Sequence, residues 1–171
     1  KAICLTQAQW RREGDLEVLL QTMLLLDNRS ENYEYKAISN IEVLKYCSHI
    51  RGRFSPEKRV VIEELFDYLS GAFSDKCKFL KKSAVPMVAV IGKLALENSI
   101  TPEQYRGFID SFANTVNEEY EANKGNGNVK RVKTEGRLLA MADDFGQYFN
   151  ISNLVVIGGS AESEDANEAE D

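Results

Sequence analysis

The stretch Thr101-Pro102-Glu103-Gln104-Tyr105-Arg106-Gly107-Phe108-Ile109-Asp110-Ser111-Phe112, "TPEQYRGFIDSF", decides the fold class. The Thr101 hydroxyl is placed to cap the Gln104 amide while the Gln104 side chain reaches back to Thr101. Such a capping box contributes ~1 kcal/mol to a helix start. Tyr105, Phe108, Ile109, Phe112, Val116 and Tyr120 then recur at helical spacing, so one apolar face is predicted to run through four turns. The stop is placed at Gly125 and Gly127.

Towards the N-terminus the same signals repeat. Val85–Leu96 is an apolar run with Pro86 in a first helical turn, preceded by Ser83 or Ala84, and reads as a central helix. Residues 74–82 form a lysine-rich connector, with Phe79 and Leu80 expected to tuck inward. Ser55-Pro56-Glu57 supplies an N-cap, a proline at the first position and an acid at the positive dipole end. Val61, Leu65, Phe66, Leu69 and Phe73 follow as its buried stripe. Ile38, Ile41, Leu44 and Cys47 recur up to Arg51, after a polar turn at Asn28–Asn32. Asp15 is read as the N-cap of Leu16–Asp27, which is apolar on more than one side and therefore buried between neighbours. Thr6 caps a short segment carrying Trp10, which Gly14 interrupts.

Towards the C-terminus, Asn128 is expected to cap a last long helix carrying Val129, Val132, Leu138, Leu139, Ala142, Phe145 and Phe149. Leu154–Ile157 reads as a short β-like or docked extended piece. No repeat at a solenoid period is present. Periodicity thus predicts an all-α bundle of about six or seven helices over residues 1–157, followed by an acidic, flexible, disordered tail over 158–171.

The chain has 171 residues, enough for one domain with a core. Glu162, Glu164, Asp165, Glu168, Glu170 and Asp171 place six acids in the tail. Without them the 27 acids fall to 21, matching the 21 bases, so residues 1–161 are formally neutral. Net charge therefore gives no warrant for strong nonspecific DNA binding by the body. Cys4, Cys47 and Cys77 are widely spaced and lack metal or disulfide patterning, which points to a reduced, cytoplasmic setting. No run approaches the ~20 apolar residues of a membrane span. The chain starts at Lys1 instead of Met and is read as a fragment or processed product.

Chemistry-bearing patterns are sparse. His49, the lone histidine, stands at a helix end where it complements the dipole. The pairs Glu63-Glu64, Glu118-Glu119 and Asp143-Asp144 point about 100° apart on a helix and do not share a site. No metal-ligand spacing and no phosphate-cradling loop occurs, so no catalytic residue, metal or cofactor is expected. The sharpest candidate is a basic run after the glycine turn. Lys130, Lys133 and Arg137 fall at i, i+3 and i+7, with Arg131 turned aside and Lys124 across Gly125-Asn126-Gly127. This is one continuous ridge able to contact phosphate or nucleic acid, or else a solvated helix face. Free amides at the helix start after Gly125 and Gly127 suit an anion. A secondary basic cluster, Arg51, Arg53, Lys58 and Arg59, brackets the Ser55-Pro56 helix start.

Several segments, in order, resemble the helical region that follows the ParB-like domain in GmrSD-type restriction proteins. They are Arg11-Arg12-x-x-Asp15-x-Glu17-x-x-Leu20; Lys82-Ser83-Ala84-Val85-Pro86-Met87; Ile100 to Phe112; Glu119-Tyr120; Lys124-Gly125-Asn126-Gly127; and Val132-x-x-x-x-Arg137. The resemblance implies an anti-phage protein of nuclease or nucleotidase type whose catalytic loop, of Asp-Gly-Gln-Arg character, lies in an upstream domain and is absent here. It further implies that the glycine turn and Arg137 dock the bundle on that ParB-like domain or a partner subunit, or touch DNA. The competing expectation is a helical interaction or structural adaptor that binds no nucleic acid.

Overall fold

The computed structural model describes residues 2–158. The acidic segment expected to be disordered therefore lies, but for Gly158, outside the described residues. Among those described there are eight helices and no strand: α1 (Gln7–Trp10), α2 (Gly14–Glu31), α3 (Asn40–Ile50), α4 (Pro56–Ala72), α5 (Val85–Glu97), α6 (Pro102–Asn114), α7 (Glu118–Ala122) and α8 (Arg131–Phe149). None is long and apolar enough to cross a membrane.

Helix α5 is the axis of the bundle. Met87, Ala89, Val90 and Ile91 are fully buried, and the helix packs against α2, α4, α6 and α8. An element enclosed on every side must be apolar all round, which is why this run lacks a polar stripe. It packs closely on α4 at Gly92, where a Cβ would stand 2.8 Å from Leu69 Cδ2. Around this axis Leu24 and Leu25 of α2, Leu65 of α4, Tyr105, Phe108 and Ile109 of α6, and Leu138, Met141 and Phe145 of α8 close one continuous core. Burying each such leucine or phenylalanine contributes roughly 1.5–3 kcal/mol.

Helix α6 starts as expected, with both halves of the Thr101–Gln104 box formed. It stops earlier than expected. Thr115 leaves the helix in an extended conformation, Val116 is 79% exposed, and the Asn117 side chain caps a separate α7 by accepting from the Tyr120 amide. The local bond of Asn117 outcompetes continuation of the turn. Tyr120 still reaches the core, edge-on to Phe112 at 5.1 Å between ring centres.

Three other boundaries move. Helix α2 begins at Gly14, so Asp15 lies in its first turn, and Glu13 takes a left-handed conformation at the cap. The polar residues Asn28–Glu31 form its last turn, because their side chains have partners. Asn28 Nδ2 donates to Tyr33 O, and its Oδ1 accepts from the Gly158 amide. Asp27 accepts from the Tyr46 hydroxyl at 2.8 Å and from Lys58 at 2.9 Å. That bond also sets the rotation of α3. Val43 and Tyr46 face inward, and Ile41 and Leu44, expected in the stripe, are 69% and 67% exposed. On α4 the expected stripe holds from Leu65 to Phe73, whereas Val61 is exposed.

The segment after α8 is docked without joining a sheet. Val156 is buried, and Val155 O accepts from Arg29 Nε. Phe79 and Leu80 turn inward as expected, with Cys4 N donating to Leu80 O.

Candidate functional site

The glycine turn does not prolong α8. Gly125 and Gly127 adopt φ of +80° and +71°, conformations that glycine takes without a Cβ clash. The chain continues as turns through Val129 and, extended only at Lys130, passes beside residues 36–38. Ile38 N donates to Val129 O and Arg131 N to Lys36 O, and only at Arg131 does the helix begin. Asn128 is consequently not the cap. Its carbonyl instead accepts from Thr134 Oγ1 at 3.2 Å and from Arg137 Nη2 at 2.7 Å.

Arg137 is the largest fully buried side chain, 1% exposed. Its Nη1 donates to Ser83 O at 2.7 Å and its Nε to Lys133 O at 3.4 Å. The guanidinium thus ties α8 to the glycine turn and to the start of α5. Burial pushes its pKa down, a shift offset in part by the Tyr120 hydroxyl beside it. An arginine stays charged even so. No carboxylate lies within 4.0 Å of it among the described residues, so backbone carbonyls and the neighbouring Tyr120 hydroxyl stabilise the cation.

The expected ridge of Lys130, Lys133 and Arg137 is accordingly corrected, since Arg137 points inward. Helix position alone put it on the ridge, and of the carbonyls that draw it in, Lys133 O and Asn128 O are near in sequence while Ser83 O lies 54 residues away. The other members are also engaged, apart from Lys130. Lys133 Nζ donates to Asn126 O at 3.0 Å. Lys124 pairs with Glu121 at 2.7 Å, and Arg131 pairs with Glu135 at 2.7 Å while lying over the Tyr35 ring. The Tyr35 hydroxyl is buried without a hydrogen-bond partner, and burial pushes its pKa up. Lys130 is exposed and has no ion pair among the described residues.

The secondary cluster does not converge either. Lys58 turns into the bundle and bridges Asp27 and Glu31, at 2.9 and 2.8 Å. Arg59 pairs with Glu63 along its own helix. Arg53 approaches His49 Nδ1 at 3.5 Å, and Arg51 is exposed at the end of α3. His49 packs on Tyr33 at 4.8 Å between ring centres. Among the described residues no group of three or more His, Cys, Asp or Glu could hold a metal ion. Cys4, Cys47 and Cys77 are free thiols, and Cys4 Sγ donates to Cys77 O.

A cleft of about 510 Å³ opens beside Arg137. The N-terminal segment, α2, Ile38, residues 81–83, residues 128–129 after the glycine turn, and Arg137 of α8 form its walls. Lys82 bridges across it to Glu17 at 2.5 Å, and Gln21 holds Ile38 O at 2.7 Å. No family model, curated protein or solved structure matches the chain. Sequence reasoning missed Lys81, Lys82 and Ser83 as members of this cleft. The signal was their place just before the Pro86 helix start, where periodicity reads Lys81 and Lys82 as the end of a connector and Ser83 as a residue preceding the helix.

Proposed function

We propose that the chain is the non-catalytic helical module of a ParB-like, GmrSD-type defence protein, docking a catalytic domain. One observation supports the reading above others: segments of the resemblance that are far apart in sequence come together around Arg137. Glu17 pairs with Lys82, the carbonyls of Ser83 and of Asn128, the residue following the Lys124–Gly127 segment, accept from Arg137, and Tyr120 stands beside the same guanidinium. Their order along the chain thus reflects one framework.

Identifying the residues encoded ahead of Lys1 tests it. An Asp-Gly-Gln-Arg-type loop is the expected result, and a start codon directly ahead overturns it. Within this reading the DNA-contacting edge is Lys130 with Lys133, the cations of the glycine-turn end that have no carboxylate partner among the described residues. Exchanging both for glutamate is expected to abolish low-salt duplex binding, each phosphate contact adding about 0.9 to the salt slope. Undetectable binding by the parent chain favours the adaptor reading, in which the same framework serves protein contact alone.

A further inference from the structure

The cleft beside Arg137 is unbalanced in charge. Its charged lining is Lys81, Lys82, Arg137 and Glu17, and Glu17 is already engaged by Lys82. Three cations therefore face one acid. Arg137 has five N–H groups, and the three bonds named above all end on neutral carbonyl oxygens. Buried charge is ordinarily stabilised by an opposite charge as well as by dipoles.

The cleft also holds donors that have no partner. The side chains of Lys81 and Asn128 make no hydrogen bond or ion pair among the described residues, and both residues line the cleft. Ile38 and Val129 give the same cleft an apolar wall. At 510 Å³ it lies within the range of small-molecule sites, larger than a bare oxyanion needs.

We propose that this cleft binds a phosphomonoester of mononucleotide size, with the oxyanion at Lys81 and Asn128 under the field of Arg137 and the uncharged body against Ile38 and Val129. Two excess positive charges match a phosphate dianion. Arginine and lysine together supply charge and directed donors. The inference stands on the cleft alone and does not depend on the ParB-like reading.

The test is calorimetric titration of the full chain with a nucleoside 5′-monophosphate, the corresponding uncharged nucleoside and inorganic phosphate. Saturable binding of the monophosphate, weakened at least about tenfold in both Lys81→Ala and Asn128→Ala, is the expected result, since a charge-assisted bond is lost in each. The nucleoside is expected to give no heat. Arg137→Gln is unsuitable as the sole variant because it removes fold-holding bonds, whereas Lys81 is exposed and Asn128 half-buried. Absence of monophosphate binding, equal binding of the nucleoside, binding of inorganic phosphate alone, or affinity unchanged in Lys81→Ala would each overturn the proposal.

Discussion

The second turn of α8 buries an arginine, Arg137, while α3 leaves two aliphatic residues, Ile41 and Leu44, in water. The difference lies in what surrounds each position. Near Arg137, the carbonyls of Ser83, Asn128 and Lys133 are already aimed at one point, and a guanidinium satisfies all three. In α3, Tyr46 must reach Asp27, and a helix can present only one face inward. Fixed polar partners, more than the hydropathy of the side chain concerned, decide which residue is enclosed.

Removing the polar anchor is the strongest way to break this contrast. Arg137→Met is expected to destabilise the fold by about 3 kcal/mol in urea unfolding, because buried carbonyls lose their charged donor. Arg137→Lys should restore only part, since an ammonium lacks the fork geometry. A loss below about 0.5 kcal/mol for Arg137→Met, the range of ordinary surface changes, would make the burial incidental.

Adjacent residues of α3 sharpen the other half. Val43→Ala is expected to cost about 2 kcal/mol from lost transfer energy and the cavity left behind. Leu44→Ala should stay within about 0.5 kcal/mol, as at other exposed positions. Equal losses at the two sites would mean that α3 is rotated differently in solution.

The smallest effect separates cations held by acids from those held by carbonyls. Arg29 donates to both carboxylate oxygens of Glu97. Burial pushes the Glu97 pKa up, but the bonds and charge of Arg29 outweigh it, and the net shift is downward. A lowered folded pKa contributes stability that is present above the ordinary carboxylate value and lost as pH falls through the folded one. The thermal midpoint of Glu97→Gln should therefore lie below that of the parent at neutral pH, with the gap closing below about pH 4. The Arg137→Met deficit should not close over that range, because the acceptors of Arg137 do not titrate. A pH-independent Glu97 gap would remove the distinction.

Much of the architecture was legible because local signals and burial agree. The Thr101–Gln104 box, the Pro56 and Pro86 helix starts and the uninterrupted apolar run of α5 each specify an element without reference to distant residues. Elsewhere, distant partners decide. Asn28 and Glu31 resemble a turn until Tyr33, Gly158 and Lys58 are placed around them. Ile41 and Leu44 fit a stripe until Tyr46 claims the inner face. The candidate site followed the same division. Spacing correctly put Lys130, Lys133 and Arg137 on one helix, or at its cap, but spacing cannot reveal that Ser83 O lies 54 residues away awaiting a donor. Nor could it join Lys81 and Lys82 to the glycine turn, since that proximity exists only once α2 and α8 flank α5.

The segment after α8 closes the molecule in a way that bears on its handling. Val155 O and the Gly158 amide are held by Arg29 and Asn28, and Arg29 also grips Glu97 across the seam between α2 and α5. Trimming the polypeptide back to the end of α8 would strip one acceptor, Val155 O, from the Arg29 side chain that bridges two core helices, and one donor, the Gly158 amide, from Asn28. Exopeptidase digestion should thus loosen a seam far from the cut in sequence.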